Sequence, residues 1–306
     1  MNRSNKKFIP VMLMPFQEDK TIDYSSLENL IEFYLKAGAK GLFANCLSSE
    51  MFELSKQEML ESVSFIIGKV NGRVPVVATG TFQECIEDQA NFVKEIYKTG
   101  VDAVIVISSL LASEEDDDSI FENNVRKLLE LTPEIPLGFY ECPIPYKRVL
   151  SAKFLGELVK SKRVIYHKDT SLSMDSIMSK LHETKDVEGF GLYDAYMVHA
   201  VDSLQAGSAG LSCIQGNYFP ELIVWLCDNF NSKDAYERVK IVQEFLIDNM
   251  EIMHYAYPAS VKYYLSLNNF PIKVICRRTD IEVLDQETII KLQQLKNDYE
   301  VLKSKL

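Results

Sequence analysis

With 306 residues, of which 47% are hydrophobic and 25% charged, the chain has the composition of a globular protein able to bury a large core. Its net charge of -11 argues against nucleic acid as a partner, because phosphate-binding surfaces need clustered Lys and Arg. No window approaches about 18 uninterrupted apolar residues, and the short apolar run near the N terminus is broken by Pro10. Neither a membrane segment nor a signal sequence is therefore expected, and a cytoplasmic setting is. The six cysteines and four histidines are dispersed without metal-ligand spacing, so core cysteines in a reducing compartment, no metal and no cofactor are the expectation.

In chain order, short apolar segments alternate with helical patterns. A strand is expected over 8–14, then a helix over 25–38 with Leu27, Leu30, Ile31, Tyr34 and Leu35 at helical spacing. GLFANC (41–46) precedes a helix opened by a capping box of Ser55 and Glu58. VPVVATG (74–80), VDAVIVI (101–107), IPLGFY (135–140), RVIYHK (163–168), VEGFGLY (187–193) and AGLSCIQ (209–215) follow, each leading into a helical pattern. Several helices run into Gly, as in KAGAKG, KTGVDA and QAGSAG, the left-handed cap that stops a helix before the next strand. The acidic run EEDDD (114–118) reads as a solvated loop leading into a helix N terminus.

Eight strand–helix units with short links predict a parallel sheet closed as a (β/α)8 TIM barrel over residues 1–231. A Rossmann fold would want a GxGxxG after the first strand, and there is none. Beyond 231 the alternation stops. Helical segments over roughly 233–252, 257–267 and 285–304 predict a C-terminal helical extension, residues 232–306, packed on the barrel.

Active sites of such barrels form at the C-terminal ends of the strands. That rule gathers Ser48 and Ser49, Thr79 and Thr81, Ser108 and Ser109, Tyr140, Lys168, Ser212 and residues 215–217 at one mouth. In VIYHKDTS (164–171) the bland reading of Lys168 is a strand-terminal lysine paired with Asp169. In a barrel mouth, however, a desolvated lysine has a lowered pKa and can attack a ketone as the neutral amine, and a neighbouring tyrosine can relay protons.

The order and spacing of several segments resemble the dihydrodipicolinate synthase / N-acetylneuraminate lyase family of Schiff-base aldolases. The segments are VMLMPFQEDKTIDYSSLENLIEFYLKAGAKGLF, SSEMFELSKQE, GRVPVVATGTF, YECP, HKDTS and GSAGLSCIQGNYFPEL. The likeness runs from about residue 8 to 230 and more weakly beyond. It implies that Lys168 forms an imine with pyruvate or a related 2-keto acid and that Tyr140 is the proton-relay hydroxyl. It further implies that Ser48, with backbone N–H groups around Ser48 and Ser49, clamps the substrate carboxylate. Ser212, in the matching strand-8 segment, is a further candidate for substrate binding. KDT after the strand also occurs in 2-keto-3-deoxy sugar-acid aldolases of the family.

Departures from the pattern bear on which reaction runs. The first threonine of the family's T-T pair is Leu47 here. Its P-Y-Y after strand 4 is Ser109, Leu110 and Leu111, so the tyrosine lent to a neighbouring subunit is missing. Its arginine five residues beyond the strand-5 tyrosine is Pro145, with Lys147 or Arg148 as candidate substitutes. The expectation is an aldolase or lyase on pyruvate or a 2-keto-3-deoxy acid. The alternatives are a synthase-like or dehydratase reaction through the same imine, or a keto-acid-binding homologue with little turnover. By resemblance the assembly is a homotetramer or homodimer, with Leu110 and Leu111 offering an apolar contact across a tight dimer.

Overall fold

The strands are short and almost wholly buried, as parallel strands must be when they are covered on both faces. In the computed structural model, which describes residues 5–279 and 281–306, they are β1 (Lys7–Phe8), β2 (Leu42–Ala44), β3 (Val76–Thr79) and β4 (Ala103–Ile107). The second half holds β5 (Leu137–Tyr140), β6 (Val164–Asp169), β7 (Gly191–Asp194) and β8 (Gly210–Leu211). All neighbours pair in parallel, in the order β1-β8-β7-β6-β5-β4-β3-β2. Between β1 and β2 the Phe43 N–H donates to the Pro10 carbonyl and the Met12 N–H to the Phe43 carbonyl, both at 2.9 Å, and these bonds complete the ring. The architecture is the (β/α)8 barrel.

The first strand is shorter than the expected 8–14. Pro10 lacks the N–H that would join the ladder between Phe8 and Met12 on the β2 side, leaving only a bridge between Val11 and Phe43. At the β1–β8 seam, Gly210 sits at φ +158°, where an added Cβ would fall 1.7 Å from the Lys7 carbonyl oxygen. No other residue fits that close approach.

Helices α1 (Tyr24–Ala37), α2 (Lys56–Val70), α3 (Ile86–Tyr97), α4 (Asp118–Leu131), α5 (Ala152–Val159), α6 (Met174–Thr184), α7 (Ala200–Ala206) and α8 (Pro220–Asn229) follow their strands. The Ser55–Glu58 capping box forms, with bonds of 3.2 and 2.8 Å. Gly38 and Gly207 cap α1 and α7 in the left-handed conformation, whereas α3 ends at a right-handed Lys98 before Gly100. The acidic run is more organised than a solvated loop. Asp117 caps α4, and the Arg148 guanidinium holds Asp118 at 3.1 Å and the Asp116 carbonyl at 2.9 Å.

Strand alternation sorts the core into two layers. Ala103, Ile105 and Ile107 of β4 face the barrel interior with Phe43, Val77, Tyr140, Tyr166 and Tyr193. Val104 and Val106 face the helices with Leu137, Phe139 and Val164.

Beyond α8 the chain continues as α9 (Tyr236–Asp248), α10 (Met250–His254), α11 (Ala259–Leu267) and α12 (Gln286–Lys303). The helix expected over 233–252 is therefore split, with a break at Asn249. This segment is tied to the barrel by aromatic packing of Phe219 on Phe245 and Tyr299. A buried ion pair adds to it: Lys262 lies 2.8 Å from Glu50, which also accepts the Arg277 and Arg278 backbone N–H groups at 2.6 and 2.8 Å. Among the described residues no helix is long and apolar enough to cross a membrane.

Candidate active site

The alternation of β6 decides which of its charged residues meet. Tyr166 and Lys168 point into the barrel, and His167 and Asp169 point out toward the helices. Lys168 is 4% exposed, with Nζ 4.3 Å from the ring centre of Tyr140 and 6.0 Å from that of Phe43. Among the described residues no carboxylate lies within ion-pair reach of it. Burial alone therefore drives its pKa below the ordinary 10.5, toward the neutral amine. The thiols of Cys46, Cys142 and Cys213 lie nearby, but burial pushes Cys142 up and Cys213 up to about 12, so neither supplies an anion.

Asp169, the partner of the bland reading, is occupied elsewhere. One oxygen takes the Lys180 ammonium at 2.6 Å, and the other accepts the Ser171 N–H at 2.8 Å and its hydroxyl at 2.6 Å. Lys180 also lies 2.5 Å from Glu141, and the buried His167 ring is 3.3 Å from Glu141 and 3.8 Å from Asp169. Donor atoms of Glu141, His167 and Asp169 lie within 4.8 Å of one another, a spacing that could suit a metal ion. Here the cation between the two carboxylates is the ammonium of Lys180. The Glu141 carboxylate further accepts the N–H groups of Leu150 and Thr170, each at 3.0 Å. This outer cluster clamps the ends of β5 and β6 behind Tyr140 and Lys168.

A cavity of about 360 Å³ opens over the amine. Its lining includes Leu47, Ser48, Tyr140, Lys147, Lys168 and Tyr257. Of the residues the sequence nominated, Lys168, Tyr140 and Ser48 thus share one cavity. Ser49 and Ser212 do not line it. The Ser49 hydroxyl donates to the Met12 carbonyl at 2.7 Å, and that of Ser212 donates to the Ile9 carbonyl at 2.8 Å while accepting from Tyr166 at 3.1 Å. Both hydroxyls bond to backbone carbonyls in the barrel interior, and the structure does not bring either residue into the lining of the cavity that holds Lys168. The Ser49 backbone N–H is likewise engaged, donating to Cys46 at 2.9 Å.

Of the two candidate substitutes for the absent arginine, Lys147 lines the cavity, donating to the Thr170 carbonyl at 2.8 Å. Arg148 is turned into the α4 loop, between Tyr146, Ser113 and Asp118. Leu111 is 2% exposed within the chain's own core, so of the leucine pair Leu110 alone reaches the surface. Tyr140 is held as a neutral phenol by burial, which raises its pKa well above 10, with the Cys142 thiol beside it.

Sequence reasoning missed Tyr257, Arg278, Tyr196 and His254, which also line the cavity. Tyr257 donates its hydroxyl proton to Ser48 at 2.8 Å across 209 residues of sequence. Nothing local to HYAYPAS marks that contact.

A family model described as the dihydrodipicolinate synthetase family matches residues 4–296. The chain belongs to that family. Among its curated relatives, a 4-hydroxy-tetrahydrodipicolinate synthase of Oceanobacillus iheyensis is 26% identical, over 96% of this chain and 97% of its own length. One of Bacillus subtilis is 23% identical, over 85% and 88%. Among solved structures, a prophage protein of the family from E. coli K12, in complex with pyruvate, superposes with a TM-score of 0.83 at 21% identity, covering 97% of this chain and 98% of its own. A monomeric dihydrodipicolinate synthase variant gives 0.85 at 19% identity, covering 96% and 97%.

Proposed function

We propose that this family member is a class I aldolase or lyase that holds pyruvate or a 2-keto-3-deoxy acid as an imine on Lys168. The observation that carries the reading is a buried lysine with no counter-charge among the described residues, set against Tyr140 in the wall of the cavity. In cleavage, the neutral Nζ attacks C2 of the keto acid, and loss of water gives an iminium. Tyr140 takes the proton of the C4 hydroxyl as it passes its own to the water released in forming the iminium. The C3–C4 electron pair then flows into the iminium, releasing an aldehyde and leaving an enamine. Protonation at C3 and hydrolysis at C2 return pyruvate and the free amine. Ser48 anchors C1, and Lys147 adds a cation on the same wall.

A second reading has its own support. Leu47 and Leu111 stand where the family resemblance implies relay hydroxyls, which favours a keto-acid-binding protein with little turnover over a competent synthase. A synthase-like or dehydratase reaction through the same imine is the third. Borohydride reduction in the presence of pyruvate, read by mass spectrometry, tests the common step. A pyruvyl adduct on Lys168 is expected, and its absence sinks the imine reading. A panel of 2-keto-3-deoxy acids assayed for pyruvate release then separates lyase from binder. Assembly as a homodimer or homotetramer belongs to the same proposal, and light scattering measures it.

A further inference from the structure

A chain of buried hydrogen bonds ends at Ser48, and its direction is fixed from the far end. The Asn217 side-chain nitrogen donates to the Val11 carbonyl at 2.9 Å and to the Tyr257 oxygen at 2.6 Å. A backbone carbonyl can only accept, so Val11 decides which end of the amide is nitrogen. The amide oxygen correspondingly accepts from the Tyr34 hydroxyl at 2.7 Å. With both Asn217 hydrogens engaged, the Tyr257 oxygen is an acceptor there, and its single proton goes to Ser48 Oγ at 2.8 Å. Ser48 is 3% exposed, lines the cavity and has no other hydrogen-bond partner among the described residues. Its own hydrogen is left for the cavity.

We infer that Tyr257, oriented by Asn217, is a positioning residue that commits the Ser48 hydroxyl to act as a donor to the substrate carboxylate. A free serine hydroxyl serves donors and acceptors alike. One already receiving a proton from Tyr257 favours a group that only accepts, which a carboxylate does. The site thereby selects an anion over a neutral amide of the same shape. Burial keeps Tyr257 a neutral phenol, so the proton it lends stays in place. The inference rests on the carboxylate subsite of the proposed function, but not on the imine.

Lactate separates the two, since it carries the carboxylate and no ketone. Its affinity is measured by calorimetry for the wild-type chain, Tyr257→Phe, Ser48→Ala and the double variant. Each single change is expected to weaken lactate about 10-fold, the scale of one hydrogen bond to a charged group. The double variant is expected to be no weaker than Ser48→Ala alone, because Tyr257 acts through Ser48. Ser48→Thr, which keeps the hydroxyl, retains the affinity. Borohydride trapping of pyruvamide, whose amide oxygen accepts more weakly than an anion, is expected to fall by less in Tyr257→Phe than lactate affinity does.

The inference is overturned by wild-type chain that binds no lactate, by single losses that multiply in the double variant, or by equal weakening toward pyruvamide. Ser48→Ala is a second handle should Tyr257→Phe lose its fold: unchanged lactate affinity there also overturns it. Failure of the wild type to trap pyruvate overturns the imine reading instead, while the lactate comparison still decides the role of Tyr257.

Discussion

Two lysines, Lys168 and Lys180, are buried on opposite sides of the same strand, and they are buried for opposite purposes. Lys180 lies between Glu141 and Asp169, within ion-pair reach of both carboxylates. Lys168 has aromatic rings and neutral thiols around it and no carboxylate. Burial alone therefore does not set what a lysine can do. A lysine held between two carboxylates ties the elements around it together, and one without an anion is pushed toward the neutral amine. The alternation of β6 enforces the separation, since Asp169 is adjacent to Lys168 in sequence and on the other face of the sheet.

Substitutions sharpen that contrast. Lys168→Ala is expected to abolish the pyruvyl adduct and lower turnover on the order of 10⁴-fold or more, with no loss of stability. A stable adduct at another lysine would break the assignment. Tyr140→Phe should leave the adduct in place and lower kcat by about 10²- to 10⁴-fold, read by comparing single-turnover trapping with steady-state pyruvate release. Lys180→Met leaves two carboxylates facing each other and is expected to cost about 3–5 kcal/mol in urea unfolding. An unchanged midpoint would show that Lys180 does not carry the outer cluster.

The pH dependence should have opposite signs on the two faces. Unfolded, Lys168 holds its proton up to about 10.5, while folded it releases it earlier. Between those limits the unfolded chain binds more protons, so stability rises with pH, and the deficit relative to Lys168→Met shrinks. His167 is the reverse case. Burial opposes its charge, but Glu141 and Asp169 outweigh burial and raise its pKa above 6.5. The stability it contributes is full below 6.5 and is lost as pH rises through the folded value. Unfolding midpoints of His167→Gln against wild type across that range measure it.

The barrel was legible because eight strand–helix units repeat one pattern, and the meeting of Lys168 and Tyr140 in one cavity was legible because strand ends in such a barrel converge. What stayed hidden lay in partnerships between distant residues. Lys180 sits in α6, and its partners come from β6 and from the residue that follows β5. Ser49 and Ser212 were nominated by position at strand ends, but position does not say whether a hydroxyl turns to the cavity or to a neighbouring carbonyl. The break at Asn249 has no proline or glycine to announce it. Tyr257 was invisible because its contact with Ser48 is made only once the C-terminal helices have docked.

That docking sets an order of events for a chain made from its N terminus. The amine, the phenol and the serine have all been synthesised by residue 168. The hydroxyl that orients the serine arrives at Tyr257, and the ends of the clasp on Glu50 at Lys262, Arg277 and Arg278. A nascent barrel therefore carries Lys168 well before the groups that reach Ser48 and Glu50 exist. Only when the last quarter of the chain has been added can the mouth hold both the buried amine and the Tyr257–Ser48 bond.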